Sequence, residues 1–145
     1  MSGVRCEAWL PQPRAVVWGA LTDFPRWDEW FVGVRALSVT PREGGVGAER
    51  RLSLLHGSSH RERITAWEAP SGFALQVLDP PFFTRRFDAA VALQEADGGT
   101  RVVWDMAWSV RFGALGHLFE RGLLAPVLRL ALRVSLGRLR RRLAT

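Results

Sequence analysis

The sequence predicts an α+β fold: an antiparallel sheet of six to seven strands under one long C-terminal helix, with two short helices after the first strand. Three observations carry this. Residues 112–143 are apolar at three- and four-residue steps, the spacing of an amphipathic helix. Residues 34–111 alternate between apolar and polar, broken by turn signals, the spacing of half-buried strands. Between the first alternating run and the second stands PRAVVWGALTDFPRWDEW, whose apolar residues recur at helical intervals.

The elements follow in order. Residues 4–10 (VRCEAWL) alternate and read as the first strand, closed by Pro11 and Pro13. Residues 13–21 form a short helix with Pro13 at its start and Val16, Val17, Ala20 and Leu21 on its apolar face. A second helical turn starts at Asp23 or Pro25 and puts Trp27 and Trp30 one turn apart on one side. Strands are then expected over 34–40, 46–55, 60–68, 73–78, 82–95 and 100–111. Glu43-Gly44-Gly45, His56-Gly57-Ser58-Ser59, Pro70-Ser71-Gly72, Pro80-Pro81 and Asp97-Gly98-Gly99 separate them. Sequential hairpins make a meander, and a sheet with one apolar face needs a cover, which only the terminal helix can supply.

In that helix the stripe Leu115, Leu118, Phe119, Leu123, Val127, Leu130 and Val134 is expected to face the sheet, widened by Leu128, Leu132, Leu136, Leu139 and Leu143. Fully helical, it would be about 45 Å long at about 1.5 Å per residue. Pro126 lacks a backbone donor and crowds the preceding turn, and Gly122 loosens the same turn, so a kink is expected between them. One bent helix is preferred to two helices with Pro126 in the first turn of the second. Arg138, Arg140, Arg141 and Arg142 complement the negative end of the helix dipole; a membrane- or nucleic-acid-contacting tail is the other reading.

The 145 residues fit one domain, 1–145, large enough to bury roughly 70% of its unfolded surface. The apolar share of 48% and charged share of 23% are those of a soluble globular protein. Net charge is +6, carried by arginine alone without lysine. Outside the C-terminus these arginines are scattered rather than clustered, so nucleic acid is not the expected partner. Cys6 is the only cysteine, which rules out an internal disulfide and suits a cytoplasmic setting. No apolar run of signal length stands behind a basic start, and Arg129 and Arg133 break the longest apolar stretch, so neither secretion nor stable membrane insertion is expected. Seven tryptophans and eight phenylalanines, with no tyrosine, exceed what packing a small core requires and suggest an aromatic-lined cavity.

The chain resembles the START-like (SRPBCC) superfamily of helix-grip proteins, in the group of polyketide cyclase/dehydrase and lipid-transport-like domains. The resemblance covers nearly the whole chain. It rests on the opening strand, on residues 13–30, on ITAWEAP at 64–70, on GGTRVVWDMAW at 98–108, and on the arginine- and leucine-rich closing helix. These segments specify fold and contain no catalytic motif. The resemblance implies that the sheet is curved, grips the helix, and leaves between them a cavity for hydrophobic small molecules, with no cofactor.

No P-loop, GxGxxG, HExxH or GxSxG is present, and His56, His60 and His117 are too scattered for a metal site. The chemistry expected is that of inward strand residues. A hairpin at 56–59 would bring Arg50, Leu52 and Leu54 opposite Ile64, Glu62 and His60, making Arg50–Glu62 a partly buried ion pair near the sheet edge. That pair either satisfies itself or orients a polar group on a ligand. Arg85 has inward parity or marks a solvated strand end. Trp104, Met106 and Trp108 are core or a stacking wall; Asp105, on the opposite face, is solvated. By the resemblance, Trp27, Trp30 and Phe31 lie at the mouth of the implied cavity or pack the small helices onto the sheet, the packing reading applying most to Trp27. The expected lining is therefore Trp30, Phe31, Arg50, Leu52, Leu54, Glu62, Ile64, Leu75, Phe87, Trp104, Met106 and Trp108, with Phe119 and Leu123 from the helix.

Three functions are compatible with this reading. The leading one is a binding module for a hydrophobic, ring-containing small molecule such as a lipid or polyketide. The second is an aromatase/cyclase or dehydratase, for which His60, Glu62 and Arg50 are the candidate acid–base groups. The third is a membrane- or partner-interaction module using the basic helix end. Oligomeric state is left open.

Overall fold

The computed structural model describes residues 2–144. Strand β1 (Ser2–Leu10) leads into α1 (Arg14–Thr22) and a 3₁₀ turn (Phe24–Glu29). Then come β2 (Val34–Thr40), β3 (Glu49–Leu54), β4 (Ser59–Glu68), β5 (Gly72–Val77), β6 (Thr84–Ala96) and β7 (Gly99–Val110). The chain closes with α2 (Gly113–Phe119), a π-helical turn (Glu120–Leu124) and α3 (Ala125–Leu143). This is the α+β helix-grip arrangement, and the strand expectations hold to within a few residues. The largest difference is at β3, which starts at Glu49 because Gly45 and Gly47 adopt positive φ and extend the preceding turn.

The seven strands form one antiparallel sheet in the order β1-β7-β6-β5-β4-β3-β2. Strands β2 to β7 are the expected meander, and β1 pairs with β7 along its whole length, Ser2 opposite Trp108 and Leu10 opposite Thr100. The β6–β7 hairpin closes on Asp97-Gly98, both with positive φ, the geometry that a two-residue hairpin loop requires. A bulge in β4 between Ile64 and Ala66 reverses the alternation beyond it. Ala66, which unbroken alternation would set on the face of Ile64, is therefore exposed, and Trp67 turns inward onto Trp18, Phe24 and Phe73. A second irregularity, between Thr84 and Arg86, buries Thr84 and leaves Arg85 exposed.

The C-terminal stretch is helical throughout, as one interrupted rod. Pro126 cannot donate to the carbonyl of Gly122, and its ring crowds that oxygen. The chain answers with the wider π turn immediately upstream. Gly116 sits so close to the carbonyl of Arg111 that a Cβ there would overlap it, which pins α2 to the end of β7. The Ser135 hydroxyl accepts a hydrogen bond from the Val32 amide at 2.9 Å, and Gln12 Nε2 donates to the Leu143 carbonyl at 3.0 Å, so α3 is tied to both loops that flank the short helices.

The face of the helix that packs differs from the expected one. Leu132, Leu136 and Leu139 are buried and join the core that contains Trp104 and Trp108. The stripe through Leu115, Leu118, Leu123, Val127, Leu130 and Val134 is exposed, Leu115 at 74% and Leu130 at 60%. Helix α3 is apolar around most of its circumference, so periodicity left two stripes to choose between. The anchors at Ser135 and Leu143 select the second. On α1 the same happens on a small scale: Val17 and Leu21 are buried, Val16 is exposed. Among the described residues no helix is long and apolar enough to cross a membrane.

The two stripes should behave differently on truncation. Leu136→Ala should destabilise the fold by about 2–5 kcal/mol, the range for a buried leucine, and Leu130→Ala should stay within about 0.5 kcal/mol. Urea denaturation of both variants measures this directly.

Candidate functional site

The concave face is readable row by row from strand register. Arg50 on β3 faces Glu62 on β4. In β5 the pair Gln76–Asp88 puts the next residues, Val77 and Phe87, in the same row, and Phe87 faces Trp108 on β7. The neighbouring row holds Ile64, Leu75, Ala89, Met106 and Val4. Toward the β6–β7 hairpin the face is closed: Phe73, Val91, Leu93, Val102 and Trp104 are buried. Toward α2 it is only half-covered. Leu52, Leu54, Phe87, Ala89, Met106 and Phe31 are partly exposed against the core, as are Leu124 and Leu128 from the helix. Phe87 stacks on Trp108 with ring centroids 5.6 Å apart.

Arg50 is the least expected feature of that face. Its side chain is 2% exposed and that of Glu62 10%, with Nη2 at 3.0 Å from Glu62 Oε1. The pair, expected partly buried near the edge, lies one strand in and is buried outright. The guanidinium is held between the rings of Phe24 and Trp27, at 4.6 and 4.5 Å from their centroids. Such stacking suits arginine, whose plane is weakly hydrated and always charged. Burial pushes the Arg50 pKa below its ordinary value, opposed by the charge of Glu62.

The pair does not exhaust its hydrogen-bonding capacity. Its contact is close but poorly aligned as a hydrogen bond, so Glu62 Oε1 keeps accepting capacity, and Arg50 Nε and Nη1 have no acceptor among the described residues. The indole Nε1 atoms of Trp104 and Trp108 are buried and equally without partners, whereas Trp27 Nε1 donates to the Leu21 carbonyl at 2.9 Å. An unmet buried donor costs about 1–3 kcal/mol, so four of them are a substantial debt in an apolar interior. The excess is of donors, which suits a molecule that brings oxygen acceptors.

The remaining candidates divide. Ile64 and Leu75 are buried on the inner face as expected. Trp30 is not at a mouth: it is 2% exposed and packs with Trp27, Phe31 and Trp104. Phe119 meets Phe83 at 5.0 Å at the half-open end. Leu123 is 52% exposed on the outward stripe and does not line the interior. His60 is half-buried opposite Leu52, its Nδ1 3.4 Å from the Asp79 carbonyl. Asp105 lies on the convex face, paired with Arg5 at 2.7 Å. Sequence reasoning passes over Phe24 as a partner of Arg50; only the crossing of the 3₁₀ turn beneath β3 reveals it. No group of three or more metal-ligating side chains gathers among the described residues.

Two concavities lie away from the space expected beneath the helix. One, of about 180 Å³, is outside β1, bounded by Cys6, Ala8, Trp9, Arg133, Leu136 and Arg140. The other, of about 290 Å³, is on the outer side of the helix at Ala114, His117, Leu118 and Arg121. Beneath the helix, Trp27, Trp30, Phe31 and Trp104 fill the space.

The family profile described as "Polyketide cyclase / dehydrase and lipid transport" matches residues 9–144. No curated protein sequence matches. Among solved structures, a protein of Thermus thermophilus is 21% identical with a TM-score of 0.78, covering 97% of this chain and 96% of its own. An uncharacterised protein from Bacillus thuringiensis is 12% identical with a TM-score of 0.77, covering 99% and 100%. The di-domain ARO/CYC StfQ of the steffimycin biosynthetic pathway is 12% identical with a TM-score of 0.73; the match covers 99% of this chain and 52% of StfQ. At these identities the likeness is one of fold.

The buried pair should be costly to halve and cheap to replace. Glu62→Gln should destabilise by about 3–5 kcal/mol because it strands the Arg50 charge. The double replacement Arg50→Met with Glu62→Leu should recover most of that. A double-mutant cycle by chemical denaturation reads the coupling.

Proposed function

The chain belongs to the polyketide cyclase/dehydrase and lipid transport family, and on that premise we propose that it binds an apolar, ring-containing small molecule bearing oxygen acceptors. The ligand lies on the half-open end of the concave face, against Phe87, Met106 and Leu54. The observation that carries this reading is the surplus of buried donors: Arg50 Nε and Nη1 and the indole Nε1 atoms of Trp104 and Trp108. Carbonyl or phenolate oxygens would meet the donors of Arg50 and Trp108, which share a row with Phe87, and the aromatic and sulfur-bearing wall would take the rings. Filling by tryptophans beneath α3 directs the ligand toward the α2 end, where the inner face is partly exposed.

A second reading, aromatase/cyclase or dehydratase turnover, is favoured by His60 and Glu62 standing two residues apart on the inner face of β4 beside Arg50. It requires a substrate whose proton these groups can reach.

Binding should raise the melting temperature in a concentration-dependent way; a ligand at about one hundred times its Kd adds about 2.7 kcal/mol. Dihydroxyanthraquinone should give such a shift and quench tryptophan emission, and anthracene, without oxygens, should bind less well. The Arg50→Met, Glu62→Leu variant should lose that preference. Absence of any shift across a library of oxygenated aromatics and lipids would reject the proposal.

A further inference from the structure

We propose that the outward face of α2 and α3 docks on an anionic lipid bilayer. The face is a ridge. Leu115, Leu118, Leu123, Val127, Leu130 and Val134 follow one another along it, all exposed. It runs for about 28 Å at about 1.5 Å per residue. A contiguous apolar surface of that length marks an interaction site more often than a solvated helix face.

Charge identifies the partner. From Gly113 to Leu143 there are seven arginines and one acidic residue, Glu120, which is buried. Arg140 lies over Trp9 and Arg142 pairs with Glu29, so those two serve the fold. Of the other five, Arg121 follows Leu118 by three residues, and Arg138 and Arg141 follow Val134 by four and seven, which sets these three beside the ridge; Arg129 and Arg133 are exposed on the same helix, Arg133 toward β1. A second copy laid symmetrically on this face would set arginines against arginines. A bilayer with anionic headgroups accepts both features, taking the apolar crest into the acyl boundary and the arginines among the phosphates.

The start of the ridge adds an independent observation. Phe112 holds a left-handed conformation, φ +71, which a bulky residue adopts only under constraint. That conformation leaves its ring exposed and beside the exposed ring of Phe82, at 6.3 Å. Exposed phenylalanine rings at one end of an amphipathic helix suit burial at the boundary between headgroups and acyl chains. No described helix could span a bilayer, so the attachment is peripheral.

Flotation of the full chain with vesicles tests this. The chain should float with phosphatidylglycerol-rich vesicles and remain behind with pure phosphatidylcholine. Leu130→Asp should weaken binding by more than about tenfold. Arg138→Gln with Arg141→Gln should weaken it by about thirtyfold, at roughly tenfold per 1.4 kcal/mol and about 1 kcal/mol per arginine. Both variants should keep the parent's urea midpoint. The proposal is overturned if the chain does not float, or if Leu130→Asp floats as well as the parent, which would mean nonspecific attraction of a basic protein. It is also overturned if the stripe instead drives self-association, or retention on polyglutamate, without lipid binding.

Discussion

The pairing of the first strand with the last is the constraint from which the rest follows. Strand β1 occupies one edge of the sheet and β2 the other, so the chain between them must cross the whole width. It crosses on the concave side, as α1 and the 3₁₀ turn, and carries Trp18, Phe24, Trp27 and Trp30 with it. Those rings meet Trp67, Phe73 and Trp104 from the sheet in one continuous aromatic cluster. A guanidinium on β3 that would otherwise face an aliphatic interior therefore finds two aromatic planes. Topology, through this crossing, creates the environment in which Arg50 can be buried.

The same crossing positions the helix. The loop after the 3₁₀ turn offers the Val32 amide to Ser135, and the loop before α1 offers Gln12 to the helix end. With α3 docked there, its leucines pack on the β1 side of the sheet, and the opposite stripe is turned out. The π turn absorbs the cost of Pro126 and leaves α2 attached mainly through Gly116. A firmly seated half and a lightly held half thus share one rod, and the half-open end of the inner face lies beside the lightly held one.

Arg50 links the fold to the proposed site. A buried ion pair is weak evidence for stability, because desolvation offsets its attraction. This one also leaves donors unmet, which an apolar replacement would avoid. Such unmet donors suit the proposed site for oxygen acceptors better than they suit a scaffold. The outward ridge concerns a different surface and a different partner, and the two can hold or fail separately.

Much of this was legible in residue order. Alternation in 34–111, the Asp97-Gly98 turn and the proline at 126 determined the strand meander, its tightest hairpin and the place where the helix deforms. Counting along the hairpin was enough to set Arg50 against Glu62, because antiparallel register is local. Other features were not legible, for physical reasons. A bulge costs one residue and no signature, so Trp67 and Ala66 exchanged faces unseen. A helix apolar on two sides carries no record of which side its neighbours will take; Ser135 and Gln12 decided that through contacts more than a hundred residues apart. Whether a space between sheet and helix stays open depends on how large rings interlock, and that is a property of the packed interior alone.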